Sequence, residues 1–186
     1  MGFFQKMAAA DVMVVLDTVD FRKNYYHNRN KYLSKSGNDE WFTVPVEKVK
    51  KSLSMTKCAW GDGRMKTKLM KQLKQNLGFT DCHVYDSDML VDINMRSIRW
   101  CMDRLSIDKE LVMASHLGVS SSKTELLVDI VKQIGGKTYL SGPTGPDYLN
   151  MELFRSEGIQ VDVFKPNVDN HYSTLYNILE NGVCSV

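Results

Sequence analysis

Thr138-Tyr139-Leu140-Ser141-Gly142-Pro143-Thr144-Gly145-Pro146-Asp147-Tyr148-Leu149 is a short apolar strand that runs directly into a loop rich in glycine and proline. A loop that leaves a strand and enters a helix falls at the carboxyl edge of a sheet, where open α/β folds bind their ligands. Gly142 and Gly145 admit backbone angles closed to other residues and let a ligand approach the main chain, while Pro143 and Pro146 stiffen the turn. The same composition suits a tight structural turn, so the segment taken alone supports both readings.

Outward from this loop the pattern is regular. Strands over 111–114, 138–141 and 159–164 alternate with helices over 123–134, 151–157 and 173–181. That alternation predicts right-handed βαβ crossovers and an α/β fold with a Rossmann-like, mostly parallel sheet flanked by helices. Upstream, residues 2–10 read as a short helix and residues 12–16 as a buried strand ending at Asp17, an acid well placed for a site. The turn composition of residues 35–39, followed by a strand over 41–44 that Pro45 closes, predicts an antiparallel pair within 24–44, in the N-terminal half. Met65, Leu69, Met70, Leu73 and Leu77 recur at three- and four-residue spacing and predict an amphipathic helix over 64–77, stopped by Gly78. A further helix over 87–105 would turn Leu90, Ile93, Ile98, Cys101, Met102 and Leu105 inward.

With 186 residues, 43% of them hydrophobic, the chain has the material for one core, and a single domain over 1–186 is the expectation. No apolar run reaches the roughly 18 residues of a membrane span, and the opening residues lack the order of a signal peptide. A cytoplasmic protein without membrane insertion is therefore expected. Cys58, Cys82, Cys101 and Cys184 form no C-x-x-C pair and read as buried or inert thiols. His27, His83, His116 and His171 are scattered without metal-ligand spacing, so no metal site is expected. Neither G-x-G-x-x-G nor a Walker A pattern occurs, so a standard dinucleotide or P-loop site finds no support and the cofactor stays open. The net charge is +2, yet residues 47–78 hold nine basic side chains against Glu47 and Asp62, a local +7. Such a segment attracts phosphate, or is the solvated face of a helix.

Several residues carry the chemistry that these elements could support. Ser122-Lys123-Thr124-Glu125 fits a capping box at a helix start, and helix starts attract anions, so Lys123 and Thr124 would face the same ligand as the Gly142 loop. His116, near a strand end, is the candidate general base, because neutral imidazole is available near pH 7. Asp17 and Asp147 would serve as acid, base or hydroxyl-binding groups, and Arg22, Lys23 and Arg29 would hold a phosphate or carboxylate. An alternative reading is a nucleic-acid-binding accessory protein, drawn from the +7 segment and from Trp60, Tyr25 and Tyr26 as stacking residues.

Four blocks in the right order give the chain a resemblance to a known family. They are Gly2-Phe3-Phe4-Gln5-Lys6-Met7 through Asp11 to Asp17; Asn28-Arg29-Asn30; Lys123-Thr124-Glu125 with the helix that follows; and Tyr139-Leu140-Ser141-Gly142-Pro143 with Gly145, Asp147, Tyr148 and Leu149. In these the chain resembles the WbqC-like family of bacteria and phages. The resemblance implies one WbqC-like α/β domain over 1–186, lacking the strand with which members open. It also implies a transferase of surface-polysaccharide (O-antigen-type) biosynthesis or phage-encoded modification, moving an aminoacyl or other acyl group to an amino sugar or a nucleotide-linked substrate. The partner would be a small molecule or sugar nucleotide, with nucleic acid as the lesser alternative and a noncatalytic, degenerate family member as another. The resemblance carries over no catalytic assignment; read from the residues themselves, catalysis would fall to His116, Asp17 and Asp147. Ligand binding would fall to Asn28, Arg29, Asn30, Lys123, Thr124, Ser141, Gly142, Gly145 and Tyr148.

Overall fold

A computed structural model describes residues 1–48, 52–168 and 170–182. Lys50 and Lys51 of the basic segment and Cys184 lie outside the described residues. In chain order the elements are α1 (Gly2–Ala9), β1 (Val12–Val15), β2 (Arg29–Leu33), β3 (Asp39–Thr43), α2 (Arg64–Leu77), α3 (Leu90–Arg104), β4 (Glu110–Met113), α4 (Lys123–Gln133), β5 (Thr138–Ser141), α5 (Met151–Ser156), β6 (Gln160–Val163) and α6 (Thr174–Asn181). The fold is mixed α/β. Its strands form three two-stranded sheets: β1 with β4 parallel, β5 with β6 parallel, and β2 with β3 antiparallel. The one mostly parallel sheet expected from the alternation is thus present as two separate parallel pairs of four-residue strands, whereas the antiparallel pair stands where it was expected. No described helix is long and apolar enough to cross a membrane.

The chain divides into two compact units. The first comprises Met1, Asp17–Asp108 and Val168–Val186. Successive residues of a strand face opposite sides, and in the β2–β3 hairpin Tyr32 and Phe42 supply the packed face at 0% and 8% exposure. Gln72 of α2 locks that face by donating to Tyr32 Oη and to the Trp41 carbonyl, each at 3.1 Å. Leu69, Leu73 and Leu77 of α2 are buried, and Gly78 ends the helix in the left-handed region at φ 68, as its place in the sequence predicted. Met65 departs from the expected stripe: it lies in the first turn, ahead of the packed stretch, and is 47% exposed. On α3, Leu90, Ile93, Cys101 and Met102 are buried as expected, but Ile98 is only half-buried. Trp100 takes a core place instead, with its ring 5.2 Å from that of Phe79. Burial pushes the thiols of Cys58 and Cys101 up to about 12, which keeps them protonated and inert. Cys82 is exposed.

The second unit comprises Gly2–Leu16 and Lys109–Asn167. Val128 and Val131 of α4, Leu149, Phe154 of α5 and Ile159 form its buried cluster, with Tyr139 of β5 and Val161 of β6 packed against it. β1, expected as a buried strand, is half-buried along its whole length. The element that matters most here is β5, because the cluster fixes its direction and so fixes where the loop after it emerges.

Candidate functional site

The chain leaving β5 makes a compact turn before α5. Ser141 is fully buried and its hydroxyl donates to the Gly142 carbonyl at 3.2 Å. Gly145 folds back onto it: the Gly145 N–H donates to the Gly142 carbonyl at 3.0 Å, and the N–H groups of Tyr148 and Leu149 both donate to the Gly145 carbonyl. A Cβ on Gly145 would stand 1.7 Å from Ser141 Oγ, so only glycine permits this approach. Ser141 and Gly145 therefore form the packed inside of the turn. Asp147 and Tyr148 stand on its outside, with Tyr148 68% exposed. Gly142 between them is half-buried. Tyr139, on β5, stacks on Phe154 with ring centroids 5.2 Å apart. Burial, reinforced by neighbouring Tyr148, pushes its phenol up to about 12.

The start of α4 meets this turn. Thr124, 9% exposed, accepts a hydrogen bond from the Asn150 N–H at 3.1 Å. The chain from the carboxyl end of β4 to α4 and the chain from the carboxyl end of β5 to α5 are thus tied together where both helices begin. Asn150 also caps α5, its side chain accepting from the Leu153 N–H at 3.2 Å. Sequence reading passed over Asn150, although an Asn directly before an apolar helical run is a start signal. The capping box expected at α4 is not made: Ser122 occupies the cap position without a side-chain hydrogen bond. The reason lies one residue on, where Lys123 takes the left-handed region at φ 55 and turns the chain differently from a regular helix entry. Ser121 bonds Asp129 at 2.5 Å instead. Lys123 itself is exposed, as is His116 at the end of the one-turn 3-10 segment Ala114–His116 that follows β4.

Of the residues singled out from sequence, His116, Lys123, Thr124, Ser141, Gly142, Gly145, Asp147 and Tyr148 belong to the second unit, and the Thr124–Asn150 bond joins two of their three segments. Asp17, Asn28, Arg29 and Asn30 belong to the first unit. Asp17 is 2% exposed, and its carbonyl accepts from the Ser54 N–H at 2.8 Å. Asn28 donates to the Val44 carbonyl at 2.8 Å, and Asn30 accepts from the Lys31 N–H at 2.9 Å. Arg29 sits over Trp41, its guanidinium carbon 4.1 Å from the ring centroid, and donates to the Asn24 carbonyl at 2.6 Å. Trp60, offered by sequence as a stacking residue, is withdrawn from that role: it is 7% exposed, and its indole N–H donates to the Ser87 carbonyl at 2.7 Å.

The surroundings of His27 give the first unit a pH dependence. Loss of solvent, and then the charge of Arg22, hold its imidazole below the usual 6.5. The folded loop therefore resists a proton that the unfolded chain accepts, and stability falls as pH drops through about 6.5. Denaturant titrations at pH 7.5 and 5.5 are expected to show a larger loss for the wild type than for His27→Gln. An equal loss in both would remove His27 from the account.

A groove lined by Met151, Arg155, Gly158, Ile159, Gln160 and Val161 lies beside the amino-terminal end of β6, away from the turn after β5. Among the described residues no group of three or more His, Cys, Asp or Glu could hold a metal ion.

Comparisons with known proteins agree with the resemblance seen in the four sequence blocks. The sequence model of the WbqC-like protein family matches residues 1–186, the whole chain. An uncharacterized protein of Mycobacterium tuberculosis (strain ATCC 25618 / H37Rv) is 24% identical over 205 residues, a match that covers 98% of this chain and 84% of that protein. No solved structure matches.

Proposed function

The chain belongs to the WbqC-like protein family, and from that premise we propose that it is a transferase acting at the junction of the β5–α5 turn and the start of α4. The observation that carries this reading is the hydrogen bond from the Asn150 N–H to Thr124 Oγ1, which brings two strand-to-helix connections to one place. We read the second unit as the Rossmann-like half of the fold, in which such connections at the carboxyl ends of strands receive the ligand. The reaction class that suits these groups is aminoacyl or acyl transfer to an amino sugar, as in surface-polysaccharide (O-antigen-type) biosynthesis or a phage-encoded modification.

In that reaction the amino nitrogen attacks the acyl carbonyl carbon, a C–N bond forms, and the bond from the acyl carbon to the donor breaks. His116 takes the proton that the amine gives up and passes it to the departing donor oxygen. Lys123, with the uncapped N–H groups at the start of α4, faces the negative charge that develops on the carbonyl oxygen. Asp147 accepts from a hydroxyl or amine of the sugar, and Tyr148 offers a ring to its apolar face. Ser141 and Gly145 act from inside the turn by fixing its shape. Thr124 acts through the tie to Asn150. The four residues of the first unit, Asp17, Asn28, Arg29 and Asn30, add nothing that this scheme needs.

The test is transfer itself. The full chain is incubated with acyl and aminoacyl donors and with amino-sugar acceptors, free and nucleotide-linked, and the acceptor is followed by mass spectrometry. The wild type is expected to add the acyl mass to one acceptor class. Lys123→Ala is expected to lower the rate by about 100-fold, the scale of removing one stabilising donor, and Asp147→Ala by about ten-fold or more, the scale of one lost hydrogen bond to a charged group, both with denaturation midpoints close to wild type because the side chains are exposed. Wild-type rates in both variants would refute the placement.

A further inference from the structure

The first unit presents an aromatic surface that the transfer reaction does not use. Tyr25 and Tyr26 are 50% and 55% exposed, large apolar rings held in solvent. Their centroids lie 5.7 Å apart, and the pair is continuous with Trp41, 5.9 Å from Tyr26, and with His27, 5.4 Å from Tyr25. The loop that carries them is pinned at three points. The Arg22 N–H donates to His27 Nδ1 at 3.1 Å, Asn94 of α3 donates to the His27 carbonyl at 3.0 Å, and Arg29 donates to the carbonyl of Asn24, a residue in the left-handed region at φ 59. The two rings are thus displayed on a braced loop, so much of the ordering cost of binding is met in the fold.

The segment that carries them is basic, although Asp20 directly precedes it and Asp39 stands on the neighbouring strand. Residues 21–31 contain Arg22, Lys23, Arg29 and Lys31 and no acid. Lys31 is paired with Asp39 at 3.3 Å, and Arg29 is engaged with Trp41 and Asn24. Arg22 and Lys23 are exposed, and neither takes part in the ion pairs found among the described residues. A neutral glycan would use the rings alone, and an inorganic anion the cations alone. A ligand with both a planar face and a negative charge uses the whole surface.

We infer that the loop 22–29, with Trp41 behind it, binds a nucleoside phosphate, the base stacking on Tyr25 and Tyr26 and the phosphate meeting Arg22 and Lys23. The site lies on the first unit and shares no residue with the transfer scheme, so it stands or falls independently of that scheme. The ligand is either a free nucleotide, such as the carrier of a sugar, or a nucleotide of a single strand. In both cases the same face and the same charge are recognised.

Titration of the full chain at low salt with UDP, ADP, uridine, inorganic pyrophosphate and a short oligo-dT strand, followed by intrinsic fluorescence and calorimetry, tests this. A nucleoside diphosphate or the strand is expected to bind, with uridine and pyrophosphate weaker by about ten-fold or more, since each lacks one half of the recognition. Tyr25→Ala/Tyr26→Ala and Arg22→Ser/Lys23→Ser are each expected to weaken binding by about ten-fold or more with an unchanged denaturation midpoint. Lys123→Ala is expected to bind these ligands as the wild type does. Tighter binding of the strand with a steep loss as salt rises assigns the site to nucleic acid, whereas tighter binding of the diphosphate with a shallow salt dependence assigns it to a free nucleotide. Absence of binding by every nucleotide and by the strand at low salt, or wild-type affinity in both double variants, overturns the inference.

Discussion

Gly145→Ala is expected to destabilise the protein by about 3 kcal/mol, the upper part of the usual range for overpacking. The added methyl would sit 1.7 Å from Ser141 Oγ, 3.0 Å from Ser141 Cβ and 3.2 Å from Leu149 Cδ1. Rotating the Ser141 hydroxyl relieves only the first of these contacts, and Ser141 is fully buried, so the displaced oxygen has no solvent to enter. The rotation also gives up the bond to the Gly142 carbonyl. What remains is a shift of the turn, which the hydrogen bonds from Tyr148 and Leu149 to the Gly145 carbonyl oppose. Urea unfolding of the single variant, of Ser141→Ala and of the double variant measures the coupling directly. The double variant is expected to recover part of the loss, because the 1.7 Å contact disappears with the hydroxyl. A wild-type midpoint for Gly145→Ala would mean that the turn yields easily and that its glycine has no packing role.

Phe154→Ala is expected to cost about 3–5 kcal/mol, the range for removing a large aromatic side chain from a core. Phe154 is fully buried within the cluster of Val128, Val131, Leu149 and Ile159, and its ring stacks on Tyr139 at an interplanar angle of 20°. The cavity would open under β5 itself, against the strand whose end sets the direction of the Gly145 turn. Phe154→Leu refills most of the volume and is expected to lose less than half as much, which separates the packing loss from any change in the turn. The check is the denaturant midpoint at unchanged slope. Equal losses for alanine and leucine would place the energy in the ring stacking rather than in the filled volume.

Both effects concern the segment most legible in the sequence, yet only half of its meaning was legible. Composition alone left residues 138–149 open to a ligand-binding loop or a tight structural turn, and the folded segment is a tight turn with an exposed outer side. Ser141 and Gly145 are inside, and Asp147 and Tyr148 outside. The four-letter pattern at Ser122 satisfied a capping rule, but a left-handed Lys123 removed the geometry that the rule requires. Trp60, Tyr25 and Tyr26 looked alike as stacking residues. The first is buried with its indole N–H bonded to the Ser87 carbonyl, and the braced loop exposes the other two.

The sequence by itself determined the periodic elements: α2 over Arg64–Leu77 with its stop at Gly78, β5 over Thr138–Ser141, the antiparallel pair, and the family. The elements follow from interactions between residues three or four apart in a helix, or alternating along a strand, which the order of residues fixes locally, and the family follows from the four sequence blocks. The tertiary structure alone decided which chemical groups face solvent, that Thr124 and Asn150 meet, and that the residues singled out for one site belong to two units. Those depend on what packs against each side chain from distant parts of the chain, and burial of that kind has no period to read.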